Sequence, residues 1–135
     1  MSGITKTTVC SSAEGKYQQK IQAGPHQITA DEPRSLGGDG TGPTPISLML
    51  GALGACTSMT LQMYAGRKVW PLEGVDVFLT HEKKDDHDYI AREVVIRGSS
   101  LTVEQRQRLM EIADKCPVHK MLSGSARITT SERPS

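Results

Sequence analysis

The sequence predicts an α+β fold with the element order βββ-α-ββ-α-α-β, in which one long central helix is wrapped by sheet. Three observations carry that expectation. Residues 4–30 alternate like short strands, residues 46–66 run without a charge, and a second alternating pair precedes a helix-capping signal.

Over residues 4–30, Tyr17, Gln19, Ile21 and Ala23 share one face, and Lys16, Gln18, Lys20 and Gln22 share the other. Gly15 and Gly24-Pro25 mark turns, which gives a meander of three short strands. The stretch Pro33-Arg34-Ser35-Leu36-Gly37-Gly38-Asp39-Gly40-Thr41-Gly42-Pro43-Thr44-Pro45 is too rich in glycine and proline for regular structure. It lacks the Gly-Lys-Ser/Thr ending of a phosphate loop, so it reads as a tight turn that lets backbone pass close to the core. It ends at a helix start, with Thr44 as N-cap and Pro45 at the first helical position.

The helix runs from Pro45 to about Arg67. Its first half is apolar nearly all round, through Leu48, Met49, Leu50, Ala52, Leu53, Ala55 and Cys56, as expected of a helix buried on several sides. The uncharged run is nominally long enough to cross a bilayer. Gly51, Gly54, Thr57, Ser58, Thr60 and Gln62 interrupt it, which favours the centre of a folded core over a membrane span. Trp70-Pro71 ends it, because a residue before proline is pushed out of helical geometry.

Val75, Val77 and Leu79 alternate with Asp76, Phe78 and Thr80, and a second strand carries Ile90, Arg92, Val94 and Ile96. The polar residues 83–88 join the two as a hairpin. Thr102 and Gln105 form a capping box for a helix to about Lys115. Cys116-Pro117 opens a further helical turn that ends at Ser123-Gly124, and residues 126–130 are a last strand. The whole of residues 1–135 is expected to be one domain.

Composition removes several classes of function. The net charge is +1, Lys and Arg are scattered among acids, and there are only one Trp, one Phe and three Tyr. Neither a basic footprint nor a stacking surface for nucleic acid is present. The first residues carry no apolar run of a signal peptide. Three cysteines is too few, and odd, for a secreted disulfide framework, which points to a reducing, cytoplasmic setting.

In such a setting a cysteine is by default a small buried apolar residue, and a chemical role has to beat that default. Cys116 falls at a helix N-cap with Pro117 behind it, where unpaired amides and the helix dipole favour a thiolate. His119 and Lys120 lie one turn on. The competing view is a cysteine that only caps a helix beneath the core, and the segment alone leaves both open. Cys56, mid-helix in apolar company, reads locally as a packed core residue. Cys10 has no partner and no activator. Cys116-Pro117-Val118-His119 is half of a Cys-x-x-His metal site, but His26, His81, His87 and Cys56 are not at ligand spacing, so no metal is expected.

Larger motifs add a resemblance. His26-Gln27-Ile28-Thr29-Ala30-Asp31-Glu32-Pro33, Gly37-Gly38 and Gly42-Pro43-Thr44-Pro45 resemble the OsmC/Ohr family (osmotically inducible protein C and organic hydroperoxide resistance proteins). So do Leu50-Gly51-Ala52-Leu53-Gly54-Ala55-Cys56-Thr57-Ser58-Met59-Thr60-Leu61, Met63 to Leu72, and Ala113-Asp114-Lys115-Cys116-Pro117-Val118-His119. The general OsmC-like branch is the most similar. The resemblance implies the OsmC-like α+β fold, an intertwined homodimer with active sites at the subunit interface, and reduction of organic hydroperoxides without metal, flavin or other cofactor. It makes Cys56 the peroxidatic and Cys116 the resolving cysteine, with an external dithiol as reductant.

Two departures stand out. Peroxidase members place a glutamate directly after the proline that begins the central helix, where it orients an arginine from the N-terminal strands. Here that position is Ile46, and Arg34 is the sole arginine before Arg67, which makes it the candidate thiolate-activating residue. A buried thiol with no cationic neighbour stays protonated at neutral pH, so activity is expected to be weak without such a substitute. The alternatives are a non-catalytic dimeric ligand-binding protein or a redox sensor of the same fold.

Overall fold

In the computed structural model, which describes residues 3–135, strands β1 (Thr7–Ser11), β2 (Gln19–Ala23) and β3 (His26–Ala30) form an antiparallel sheet in that order. The register pairs Ile21 with both Val9 and Ile28, and Ala23 with His26 across the Gly24-Pro25 turn. The expected meander is present. Gln18 is buried, in the bend of residues 12–18 that precedes β2, so the alternation of faces begins only at Gln19.

The chain divides into two units, Met1–Met49 and Leu50–Ser135. In the first, the glycine-rich stretch is held by Asp31. One of its carboxylate oxygens accepts from the Glu32 amide at 2.7 Å, and the other accepts from the Thr41 amide at 3.1 Å and the Thr41 hydroxyl at 2.6 Å. The Thr41 hydroxyl is the main reason that the Asp31 carboxyl sits below its ordinary value. Gln18 Nε2 donates to the same Thr41 oxygen at 3.0 Å. Gly38 and Gly42 are required sterically, since a Cβ there would lie 2.1 Å from the Glu32 carbonyl and 2.2 Å from that of Thr29. The tight-turn expectation for this stretch is met by those two close approaches.

Helix α1 (Pro45–Lys68) starts as expected, with Thr44 Oγ1 accepting from the Ser47 amide at 3.1 Å. It ends in a Schellman motif: the Trp70 amide reaches the Ala65 carbonyl at 2.9 Å, and Val69 takes a left-handed φ of 57°. Only one stripe, Leu53, Thr57, Leu61 and Ala65 with Gly54, is buried within the chain. The expectation of burial on several sides is not met in a single chain. Met59 and Met63 are 57% and 62% exposed.

In the second unit β4 (Gly74–Lys84) and β5 (His87–Arg97) pair antiparallel over their full length. Their loop is two residues, Asp85 and Asp86, both at positive φ, which is a type I′ turn matched to strand twist. Helix α2 (Val103–Ala113) carries the complete Thr102/Gln105 capping box. The core gathers Leu61, Ala65, Val75, Leu101, Leu109, Ile112 and Ala113, with Tyr64, Trp70 and Leu72 packed against it. Helix α3 (Pro117–Lys120) follows, then a wide turn at Met121–Ser125. The last predicted strand, residues 126–130, does not form: Ile128 is 88% exposed, and a strand exists only against another strand.

Candidate active site: a buried thiol, a threonine and an arginine

Cys116 is the N-cap of α3. Pro117 stands at the first helical position, where its missing amide costs nothing, and the cap bond comes from the third helical residue, His119, whose N–H donates to Cys116 Sγ at 3.3 Å. The sulfur is fully buried. Cys116 thus caps a helix and lies beneath the core.

Above it lies Thr57, also fully buried, with Oγ1 4.0 Å from Cys116 Sγ, at the long end of a sulfur hydrogen bond. Thr57 follows Cys56 in α1. Cys56 itself is half-buried, and its Sγ is 4.0 Å from Thr60 Oγ1. Successive helix residues point about 100° apart, which is why the two neighbours hold different partners. Cys10, Cys56 and Cys116 are all free thiols. At Gly54, Leu79 packs where a Cβ would stand.

Arg92 completes the group. Its side chain is 11% exposed and makes three contacts: NH1 donates to Thr57 Oγ1 at 3.0 Å, and NH2 donates to Asp114 Oδ1 at 2.9 Å and to His119 Nδ1 at 3.0 Å. An arginine can only donate, so His119 Nδ1 accepts and the ring carries its proton on Nε2. This assignment follows from the network. A cavity of about 350 Å³ opens beside the group, with Leu53, Ile90 and Leu122 on its apolar side and Arg92, His119 and Asp88 on its polar side. The His81 ring bonded to Asp88 holds that carboxyl below its usual range.

Sequence reasoning singled out Cys56 and Cys116, which hold different partners here, and did not single out Arg92, Thr57 or Asp114. The signal for Arg92 was present, since it occupies an inward position of β5 between Ile90 and Val94, where an aliphatic residue is expected. Arg34 lies exposed in the short turn Arg34–Leu36 of the first unit, and Ile46 is 44% exposed at the start of α1. Half of the Cys-x-x-His pair, His119, is engaged by Arg92. Among the described residues no three His, Cys, Asp or Glu side chains gather as a metal-binding set.

The family model for OsmC-like proteins matches residues 38–131, a span that contains both Cys56 and Cys116. The chain belongs to the OsmC/Ohr family. No curated protein matches the sequence. Solved structures supply the fold. An OsmC-like protein from Mycoplasma pneumoniae superposes with a TM-score of 0.76 at 19% identity, covering 93% of this chain and 91% of its own. The organic hydroperoxide resistance protein OsmC from Legionella pneumophila gives 0.66 at 19% identity, with 90% of each chain covered. The organic hydroperoxide resistance protein OhrB of Bacillus subtilis gives 0.62 at 21% identity, covering 91% and 93%. At these identities this OsmC-like chain shares their α+β fold.

Proposed function

We propose that this protein is a thiol-dependent peroxidase that reduces organic hydroperoxides, with Cys56 as the peroxidatic and Cys116 as the resolving cysteine. The Cys56 thiolate attacks the terminal peroxide oxygen; the S–O bond forms, the O–O bond breaks, and the alkoxide leaves as the alcohol once protonated. The Cys56 sulfenic acid then condenses with Cys116 to a disulfide and water, and an external dithiol restores both thiols. No metal or flavin is needed to balance these steps.

The observation that carries this reading is the cluster at the buried sulfur. Cys116 lies against Thr57, the residue next to Cys56, and a nearly buried guanidinium anchors that threonine. Arg92 thereby joins Arg34 as a candidate for the positive charge that the glutamate-less helix start no longer directs. The mostly apolar, exposed faces of α1 support the homodimer, with active sites at the subunit interface. The low, odd count of three cysteines is the support for a reducing, cytoplasmic setting.

The test is consumption of tert-butyl hydroperoxide with a dithiol reductant. Wild type should turn over, Cys56→Ser should be inactive, and Cys116→Ser should stop at a sulfenic acid. Arg34→Ala and Arg92→Met identify the activating cation by which one slows Cys56 oxidation. Ile46 at the glutamate position favours a second reading, a ligand-binding or redox-sensing member of the fold. Wild type no faster than Cys56→Ser would select it.

A further inference from the structure

The Thr57 hydroxyl has one proton and two lone pairs, and the structure accounts for all three. The proton goes to the Leu53 carbonyl at 2.7 Å. One lone pair accepts from Arg92 NH1 at 3.0 Å. Since the proton is committed, Thr57 has nothing to donate to Cys116, so across the 4.0 Å approach the Cys116 S–H is the group left to donate to Oγ1. The arrangement suits a thiol and not a thiolate.

Ionised, the sulfur has no proton to give and needs donors. His119 N–H supplies one at 3.3 Å. The other within reach is the Thr57 hydroxyl, which can turn about its Cβ–O bond from Leu53 to the sulfur without moving its oxygen, because Arg92 pins that oxygen. Leu53 loses little, since its carbonyl still accepts the ordinary helical bond from the Thr57 amide. We propose that Thr57 is a two-position hydroxyl that accepts from Cys116 at rest and donates to it as the resolving thiolate forms, with Arg92 as its positioning residue.

This rests on Cys116 being the resolving partner of Cys56. In that step the S–S bond forms, the Cys56 S–O bond breaks, and the departing hydroxide takes up the proton that Cys116 released. Thr57 gains and loses nothing overall. The charged and titratable groups linked to this pair are Arg92 from β5, which holds Thr57, and Asp114 at the end of α2 and His119 from α3, which hold Arg92. His119 has its Nδ1 turned to Arg92, which leaves Thr57 as the side-chain hydroxyl that can follow the change.

The experiment is an NMR titration of Cys116 carrying ¹³C at Cβ, in a Cys10→Ser/Cys56→Ser background. Thr57→Val should move the ionisation midpoint up by about one pH unit, the loss of one hydrogen bond to a charged group, and Thr57→Ser should restore it. An unchanged midpoint in Thr57→Val overturns the proposal. So does a wild-type Thr57 methyl signal that stays flat across the Cys116 midpoint, a readout that stands even if the valine variant fails to fold. With Cys56 restored and one equivalent of tert-butyl hydroperoxide at pH 7, disulfide closure in Thr57→Val should slow about threefold. The thiolate fraction falls about tenfold while its nucleophilicity rises about threefold. Closure at the wild-type rate overturns the role in that step. If Cys56 never oxidises in any variant, the peroxidase reading falls instead, and the titration still decides Thr57.

Discussion

Replacing Arg92 with methionine keeps an apolar stem of similar length and removes three hydrogen bonds together. The bond to Thr57 is charge-assisted and meets a fully buried acceptor, so its loss costs about 2 kcal/mol. The Asp114 carboxylate is 70% exposed, so that ion pair contributes less than about 1 kcal/mol. His119 can turn its ring to water, and its share is about 0.5 kcal/mol. The sum is about 3 kcal/mol, which for a chain of this length lowers Tm by about 10 °C. Thermal and urea unfolding at one fixed protein concentration would measure it, since self-association would otherwise shift the midpoint. Asp114→Asn is the control and should cost less than about 1 kcal/mol. An Arg92→Met loss no larger than that of Asp114→Asn would refute the reasoning, because Arg92 would then be an ordinary surface ion pair rather than the anchor of Thr57.

Three further outcomes are expected. Leu109→Ala, at a fully buried core position, should cost about 3 kcal/mol in urea unfolding, whereas a loss below about 1 would mean the core collapses around the gap. Val69→Gly should raise stability by about 1 kcal/mol by the same measurement, because a β-branched residue is held at φ 57° on an exposed helix end. Thr41→Val should cost stability at pH 7 and progressively less below pH 3.8. Asp31 has a depressed folded-state value, so its contribution is present above 3.8 and is lost as pH falls through that lower value. Parallel unfolding curves at pH 7 and pH 3 check this.

The five strands that form, the glycine-rich stretch and the two main helices were legible because each has a local cause. Gly24-Pro25 turns the first sheet, Thr102 with Gln105 starts α2, and Pro45 and Pro71 bracket α1. Cys116 was legible for the same reason, since Cys-Pro at a helix start is a local pattern. Arg92 and Thr57 were not, because their meaning depends on β5 bringing Arg92 to the Thr57 hydroxyl of α1, and no spacing between positions 57 and 92 encodes that. The faces of Tyr17 and Gln18 were not legible, because the alternation was read across the bend at residues 12–18. Residues 126–130 and the faces of α1 failed differently: apolar patterning says that a surface wants covering but not whether the same chain covers it.

Cys116 carries two obligations that pull apart. As a cap it keeps its sulfur at 3.3 Å from the His119 amide, and as a disulfide partner it would have to move toward Cys56. Helix α3 is four residues long, too short to persist on its own nucleation, so it stands on that cap. Amide exchange at His119 and Lys120 would then read out the oxidation state of a sulfur that no solvent probe can touch.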